Sequence, residues 1–157
     1  EPTQSIRSLG VKLKLSSTRT IVKGKSIILI DDSLVRGTTC NKIVKMLYES
    51  GAKEVHVRIA CPEIKYPDYY GVDMPTKEEL LAYKKNNKEM CEHIKAKSLK
   101  FLSLAGLYKA LVDEVRNSSY PQFSDHYFTG DYPIKPSDNL KGFKIKQLSL
   151  LSGKSNN

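Results

Sequence analysis

The chain has no tryptophan, only three cysteines and three histidines among 157 residues, and no uninterrupted apolar run longer than four. A membrane-spanning helix needs roughly 20 apolar residues, so the short runs exclude one in this sequence. The first ten residues, EPTQSIRSLG, contain no apolar segment of the kind a secretory signal requires. A cytoplasmic location is therefore the default expectation. Cys40, Cys61 and Cys91 are odd in number and widely spaced, which fits neither a disulfide framework nor a CxxC metal knuckle. Each is expected to be a reduced, partly buried thiol. His56, His93 and His126 are equally scattered and read as structural.

The net charge of +9 shows that acidic residues are in short supply, but only at the ends. Residues 1–25 hold six basic side chains and one acid, and residues 135–157 hold five and one. Residues 26–134 balance 15 of each sign. A nucleic-acid face on the core is not supported by that distribution, and nucleic acid is not an expected partner.

What is present is an ordinary globular composition, 39% hydrophobic and 27% charged, in a chain long enough for one core. Residues 1–25 read as a basic segment, 26–134 as an α/β core and 135–157 as a basic tail expected to fray. In the first segment, Val11 to Leu15 alternates and fits a short edge strand or an extended loop. The segment is either a solvated basic stretch or a phosphate-seeking loop. Ser26 to Ile30 is apolar on both faces, as in a parallel sheet with helices on both sides. A helix is expected from about Thr39 to Ser50, with Ile43, Val44, Met46 and Leu47 in one stripe and Gly51 as its stop. Glu54 to Ala60 is then a second strand, completing a βαβ unit. After a Pro- and Tyr-rich loop, Thr76 is placed to cap a helix, followed by a short helix near Met90 to Lys95. A strand near Leu99 to Leu102 and a helix from Leu104 to about Val115 complete the ordered part.

The stretch Ile27 to Thr39, IILIDDSLVRGTT, carries most of the chemistry. An apolar strand runs into Asp31 and Asp32, and a Gly-Thr-Thr turn then opens a helix. Paired acids at a strand end can be a simple solvated turn. Ligand sites of open parallel sheets, however, lie at the carboxyl ends of strands. A Mg²⁺ ion or sugar hydroxyls would relieve the repulsion between the two carboxylates. Gly37 permits a turn in which the amides of Arg36 to Thr39 converge on a phosphate at the helix start. Thr38 and Thr39 add hydroxyls, and Thr39 can equally serve as an ordinary cap. Gly24-Lys25-Ser26 and Gly153-Lys154-Ser155 look like P-loop ends, but each lacks the earlier glycine.

IILIDDSLVRGTT resembles the phosphoribosyl-pyrophosphate (PRPP) signature of type I phosphoribosyltransferases, in the form typical of the amidophosphoribosyltransferase family. EPTQSIRSLGVKLKLSSTR, PEIKYPDYYGVDMPTKEELLA, LKFLSLAGLYKAL and YFTGDYP are similar to the same family, so the likeness extends over residues 1–133. It implies a parallel-sheet, Rossmann-like fold with helices on both faces, of which this chain is the C-terminal part. It implies transfer of glutamine-derived ammonia onto PRPP, giving phosphoribosylamine and pyrophosphate in the first committed step of purine synthesis. By the same resemblance Asp31 and Asp32 are the Mg²⁺ and ribose-hydroxyl ligands and act in catalysis with Lys14. Ser33, Val35, Arg36, Gly37, Thr38 and Thr39 hold the 5-phosphate. Lys14 and the following Arg19 belong to the end of a flexible loop over PRPP, and Asp73 lies near the nucleotide end of the site.

The resemblance also implies purine nucleotides as ligands and a homo-oligomeric parent enzyme. The glutaminase domain and the first strands of the sheet, which precede the matched region in the family, have no counterpart here. They are expected as an upstream partner if encoded separately. Iron-sulfur members carry cysteines in the Tyr-rich loop and before the FTG segment, where this chain reads PDYYG and PQFSDHYFTG. No iron-sulfur cluster is expected. The chain is thus expected to be an expressed, split or decayed C-terminal piece of the enzyme, inactive alone. The alternative is a non-catalytic remnant that binds PRPP, nucleotides, nucleic acid or a partner.

Overall fold

A computed structural model describes residues 19–72 and 76–134. Lys14, Asp73 and the terminal segments 1–18 and 135–157 lie outside the described residues. A single turn, α1 (Arg19–Val22), leads into strand β1 (Ser26–Asp31). Helix α2 (Thr38–Glu49) and strand β2 (Glu54–Ile59) follow, then α3 (Leu81–Lys84), α4 (Asn87–His93) and strand β3 (Ser98–Phe101). Helix α5 (Leu104–Val112) and one turn, α6 (His126–Thr129), close the described part.

The strands form one parallel sheet in the order β1-β2-β3. Ile27 lies beside Val55, Leu29 beside Val57 and Asp31 beside Ile59. Successive strand residues point to opposite faces, so Ile27, Leu29, Val55, Val57, Ile59 and Leu99 share one side. That side packs on Cys40, Val44 and Leu47 of α2, Leu81 and Ala82 of α3, and Met90 and Ile94 near α4, forming one core.

The opposite side differs from strand to strand. On β1 it carries Ile28 and Ile30, 64% and 72% exposed. On β2 and β3 it carries a polar network. The His56 ring nitrogen Nδ1 meets Ser98 Oγ at 2.8 Å, and Arg58 donates to the Val57 carbonyl at 2.8 Å and to Ser98 Oγ at 3.0 Å. The parallel sheet agrees with the reading from sequence, while α2, α3 and α4 all gather on one face.

Several boundaries move for local reasons. Thr76 starts only a 3₁₀ turn (Lys77–Glu79), because Leu80 is extended and buried before the chain turns helical again. The helix expected near Met90 begins at Asn87 instead. Asn86 caps it, accepting from Glu89 N at 3.0 Å while the Glu89 carboxylate accepts from Asn86 N at 2.8 Å. Helix α5 stops at Val112 rather than Val115, since Asp113 takes a left-handed conformation.

A second packed unit joins the Tyr-rich loop to residues 123–134. His126 Nε2 meets Asp68 Oδ1 at 2.8 Å with both side chains 1% exposed. Asp68 Oδ2 also accepts from Tyr70 N and Val72 N at 2.9 and 2.7 Å. These bonds to the ionised form hold its carboxyl down at about 2, against the opposing effect of burial. Lys65 N and Tyr66 N both donate to the Tyr127 carbonyl, and the Tyr132 hydroxyl donates to Pro67 O at 2.8 Å. Nearby, buried Asp125 takes bonds from the Tyr108 hydroxyl at 2.8 Å and from the Arg116 guanidinium through both carboxylate oxygens. Arg116 bridges onward to Asp131 at 2.7 Å.

Candidate functional site

Asp31 through Cys40 line one open cavity of about 290 Å³ at the carboxyl end of β1. The loop is built locally and then held from behind. Asp31 is the last residue of β1, and its carbonyl accepts from Ala60 N at 2.9 Å. Its carboxylate accepts from Asp32 N at 3.1 Å, and Ser33 Oγ donates to Asp32 Oδ1 at 3.1 Å. Leu34 is buried and anchors the loop to the core. Gly37 then takes a left-handed conformation (φ +75°) at the start of α2. The first amides of a helix lack intrahelical partners, so those near Thr38 and Thr39 are free to bind an anion. Both threonines are exposed and line the cavity.

The backing comes from residues far along the chain. Leu81 N donates to the Val35 carbonyl at 2.8 Å, and Asn41 Nδ2 donates to the His93 carbonyl at 2.6 Å. A methyl group at Gly37 would sit 2.8 Å from Leu81 Cδ2 and 3.2 Å from His93 Cδ2. Arg36 pairs with Glu79 at 3.2 Å. That pairing, with a bond from Thr76 N, lowers the Glu79 carboxyl below its usual range. Beneath the loop, burial first and the Asp31 charge second push the Cys40 thiol up to about 11. Burial followed by Asp32 raises Cys61 in the same way. Neither thiol is an activated nucleophile.

Of the residues singled out from sequence, Asp31, Asp32, Ser33, Val35, Arg36, Gly37, Thr38 and Thr39 lie together around this cavity. The Val35 carbonyl is taken up by Leu81 N, and the Arg36 side chain is paired with Glu79. Arg19 lies on α1, which enters the sheet at the amino end of β1, the end opposite the loop. Lys14 and Asp73 lie outside the described residues. Glu79, Leu81 and His93 escaped the sequence reading because nothing local links them to the loop.

The residues suit a hard divalent cation held jointly with a ligand. Two adjacent carboxylates are available, and no cluster of three or more potential ligand side chains is found among the described residues. Mg²⁺ commonly takes one or two carboxylates and completes its shell with water and substrate phosphate.

A strand ending at Asp31 with a second acid directly after it, followed by a left-handed glycine turn into a helix, is the geometry expected of a sugar-phosphate site. Comparison with known proteins narrows it. The chain is 52% identical over 153 residues to an amidophosphoribosyltransferase of Rhizobium etli, covering 97% of this chain and 31% of that protein. The chain is homologous to part of the amidophosphoribosyltransferase polypeptide. Amidophosphoribosyltransferase 1, chloroplastic, of Arabidopsis thaliana is 49% identical over 138 residues, 88% of this chain and 24% of that one. Among solved structures, glutamine PRPP amidotransferase from B. subtilis complexed with ADP and GMP superposes with a TM-score of 0.70 at 39% identity. That match covers 88% of this chain and 30% of the other. No protein-family model matches. The chain thus spans less than a third of the length of these amidophosphoribosyltransferases.

Proposed function

We propose that this chain supplies the PRPP-binding loop of an amidophosphoribosyltransferase, with Mg²⁺ as the accompanying ion. The assembled enzyme transfers ammonia from glutamine onto PRPP to give 5-phosphoribosylamine and pyrophosphate. We place it in the cytoplasm as a homo-oligomer that also binds purine nucleotides. The observation that carries the reading is the loop Asp31 to Thr39, with acids at the strand end and open helix amides seven residues later, around one cavity.

In this reading the amides and hydroxyls of Thr38 and Thr39 grip the 5-phosphate at the positive end of α2. That contact fixes the sugar so that its hydroxyls fall toward Asp31 and Asp32. The carboxylates accept hydrogen bonds from those hydroxyls and offset positive charge building on the ring as the anomeric bond breaks. Mg²⁺, when bound, neutralises the departing pyrophosphate. Cys40 stays protonated and takes no part. Lys14 and Asp73 are assigned to the lid and the nucleotide end on family resemblance.

Calorimetry with Mg²⁺ and PRPP tests the loop directly. Saturable binding is expected, weakened at least tenfold in Asp31→Asn/Asp32→Asn with the urea midpoint unchanged. Equal binding by the double variant would refute the assignment. The B. subtilis structure holds ADP and GMP, which favours a second reading of nucleotide binding without PRPP turnover. That reading predicts GMP binding that survives the double substitution.

A further inference from the structure

One short piece of chain touches three consecutive residues of the phosphate loop. Leu81 N donates to the Val35 carbonyl at 2.8 Å, and Glu79 Oε1 accepts from Arg36 Nε at 3.2 Å. Leu81 Cδ2 stands 2.8 Å from the place a Cβ on Gly37 would take. The piece is itself fixed. Leu80 and Leu81 are buried, and the second Glu79 oxygen accepts from Thr76 N at 3.2 Å across the 3₁₀ turn. The Glu79 carboxylate therefore holds its own turn with one oxygen and a residue 43 positions earlier with the other.

The two bonds to Val35 and Arg36 act on the same peptide unit and its side chain. In a trans peptide the carbonyl and the following N–H point in opposite directions, so with the Val35 carbonyl on Leu81 the Arg36 N–H faces away from it. A guanidinium carries its N–H donors in a rigid fork. Among the described residues only the Nε donor of Arg36 is bonded. Arg36 lines the cavity, so the N–H groups at the far end of its fork remain for a ligand there. Two parallel donors in that geometry match two oxygens of a phosphate. An ion pair with both side chains about half exposed contributes little to stability, so folding alone gives this contact little to do.

We infer that Glu79 is a positioning residue for the phosphate loop, holding Arg36 by its Nε so that the end of the guanidinium meets the ligand's phosphate. This role rests on the PRPP reading above and adds to it a residue outside the loop. Charge alone would have the opposite effect. Glu79 is an anion beside a site for a polyanion, and the Arg36 bond keeps it ionised by lowering its carboxyl. Were charge the whole story, removing Glu79 would strengthen binding. With Glu79 positioning Arg36, removal weakens binding, and does so only while Arg36 is present.

Calorimetry of the full chain with Mg²⁺ and PRPP, run as a double-mutant cycle, tells these apart. Glu79→Ala is expected to weaken binding at least fivefold, with the urea midpoint close to the parent's. Arg36→Ala should weaken it at least as much, and adding Glu79→Ala to Arg36→Ala should then change the affinity less than twofold. NMR supplies a signature that needs no ligand. The Arg36 Nε–H proton should be resolved and slow to exchange in the parent, and should lose that protection in Glu79→Ala. The inference is overturned by unchanged or tighter PRPP binding in Glu79→Ala, by the same fold-loss in both backgrounds, or by an Arg36 Nε–H that Glu79→Ala leaves unaltered. Inorganic phosphate, titrated against the Thr38 and Thr39 amide resonances, keeps this role separate from the PRPP assignment. A parent that binds phosphate but not PRPP refutes that assignment, and the same cycle is then decided with phosphate. A parent that binds neither refutes both.

Discussion

Gly24 and Gly37 offer a matched pair for measuring what holds the phosphate loop. Both take nearly the same left-handed conformation, φ +73° and +75°. Replacing either with alanine costs about 1–2 kcal/mol for placing a Cβ in that region. At Gly24 nothing lies within 4 Å of the added methyl, so that cost is the whole effect. At Gly37 the methyl meets Leu81 Cδ2 at 2.8 Å, His93 Cδ2 at 3.2 Å and Ile94 Cγ2 at 3.4 Å. Overpacking a tight site adds about 1–3 kcal/mol. Gly37→Ala should therefore lose about 2–5 kcal/mol and Gly24→Ala about 1–2. With a urea slope of about 2 kcal/mol/M, the two midpoints should differ by about 0.5–1.5 M. Adding Leu81→Ala to Gly37→Ala should recover part of the loss as a favourable coupling in a double-mutant cycle. Equal midpoints for the two glycine variants, or no coupling with Leu81, would refute the view that α3 and α4 press on the loop.

Three more outcomes are expected. Asp68 has its carboxyl lowered to about 2, so it favours the folded state above its ordinary value of 3.8, and this contribution is lost as pH falls toward 2. Asp68→Asn should flatten the acid limb of a pH-stability curve between pH 4 and 2, and an unchanged limb would rule the linkage out. Arg116→Ala leaves the buried Asp125 charge without its cation and should cost about 3–5 kcal/mol in urea unfolding, whereas loss below about 1 kcal/mol would show the pair to be solvated. Cys40, 2% exposed with its thiol pushed up to about 11, should resist Ellman's reagent at pH 8 until denaturant is added. Labelling of Cys40 in the native protein at the rate of a free thiol would contradict its burial.

The parts of this fold that were legible in the sequence are those specified by neighbours a few residues apart. All three strands and α2 were placed within a residue, because apolar runs, Gly51 and the turn chemistry sit beside them. The start of α4 is also written locally, as Asn86 and Glu89 three apart, although a reading centred on Met90 to Lys95 places it three residues late. α6 is four residues long and shows no periodicity to read. The phosphate loop was legible because its acids, glycine and threonines are contiguous. Its supports were not, since Glu79 lies 43 residues from Arg36 and the His93 carbonyl 52 residues from Asn41. The Asp68–His126 pair spans 58 residues. Single polar residues carry no sign of a distant partner, so His126 could be read as structural without its role being seen.

The chain order of the strands bears on how the protein comes into being. β2 joins β1 with partners 28 residues apart, and β3 joins β2 with partners 42 apart. Among the described residues no later strand inserts between earlier ones. A ribosome emitting this polypeptide can lay the sheet down one strand at a time, each new strand finding its template already outside the exit tunnel. The Tyr-rich loop must wait longest, because its partners Tyr127, Tyr132 and Ile134 are the last described residues to be made.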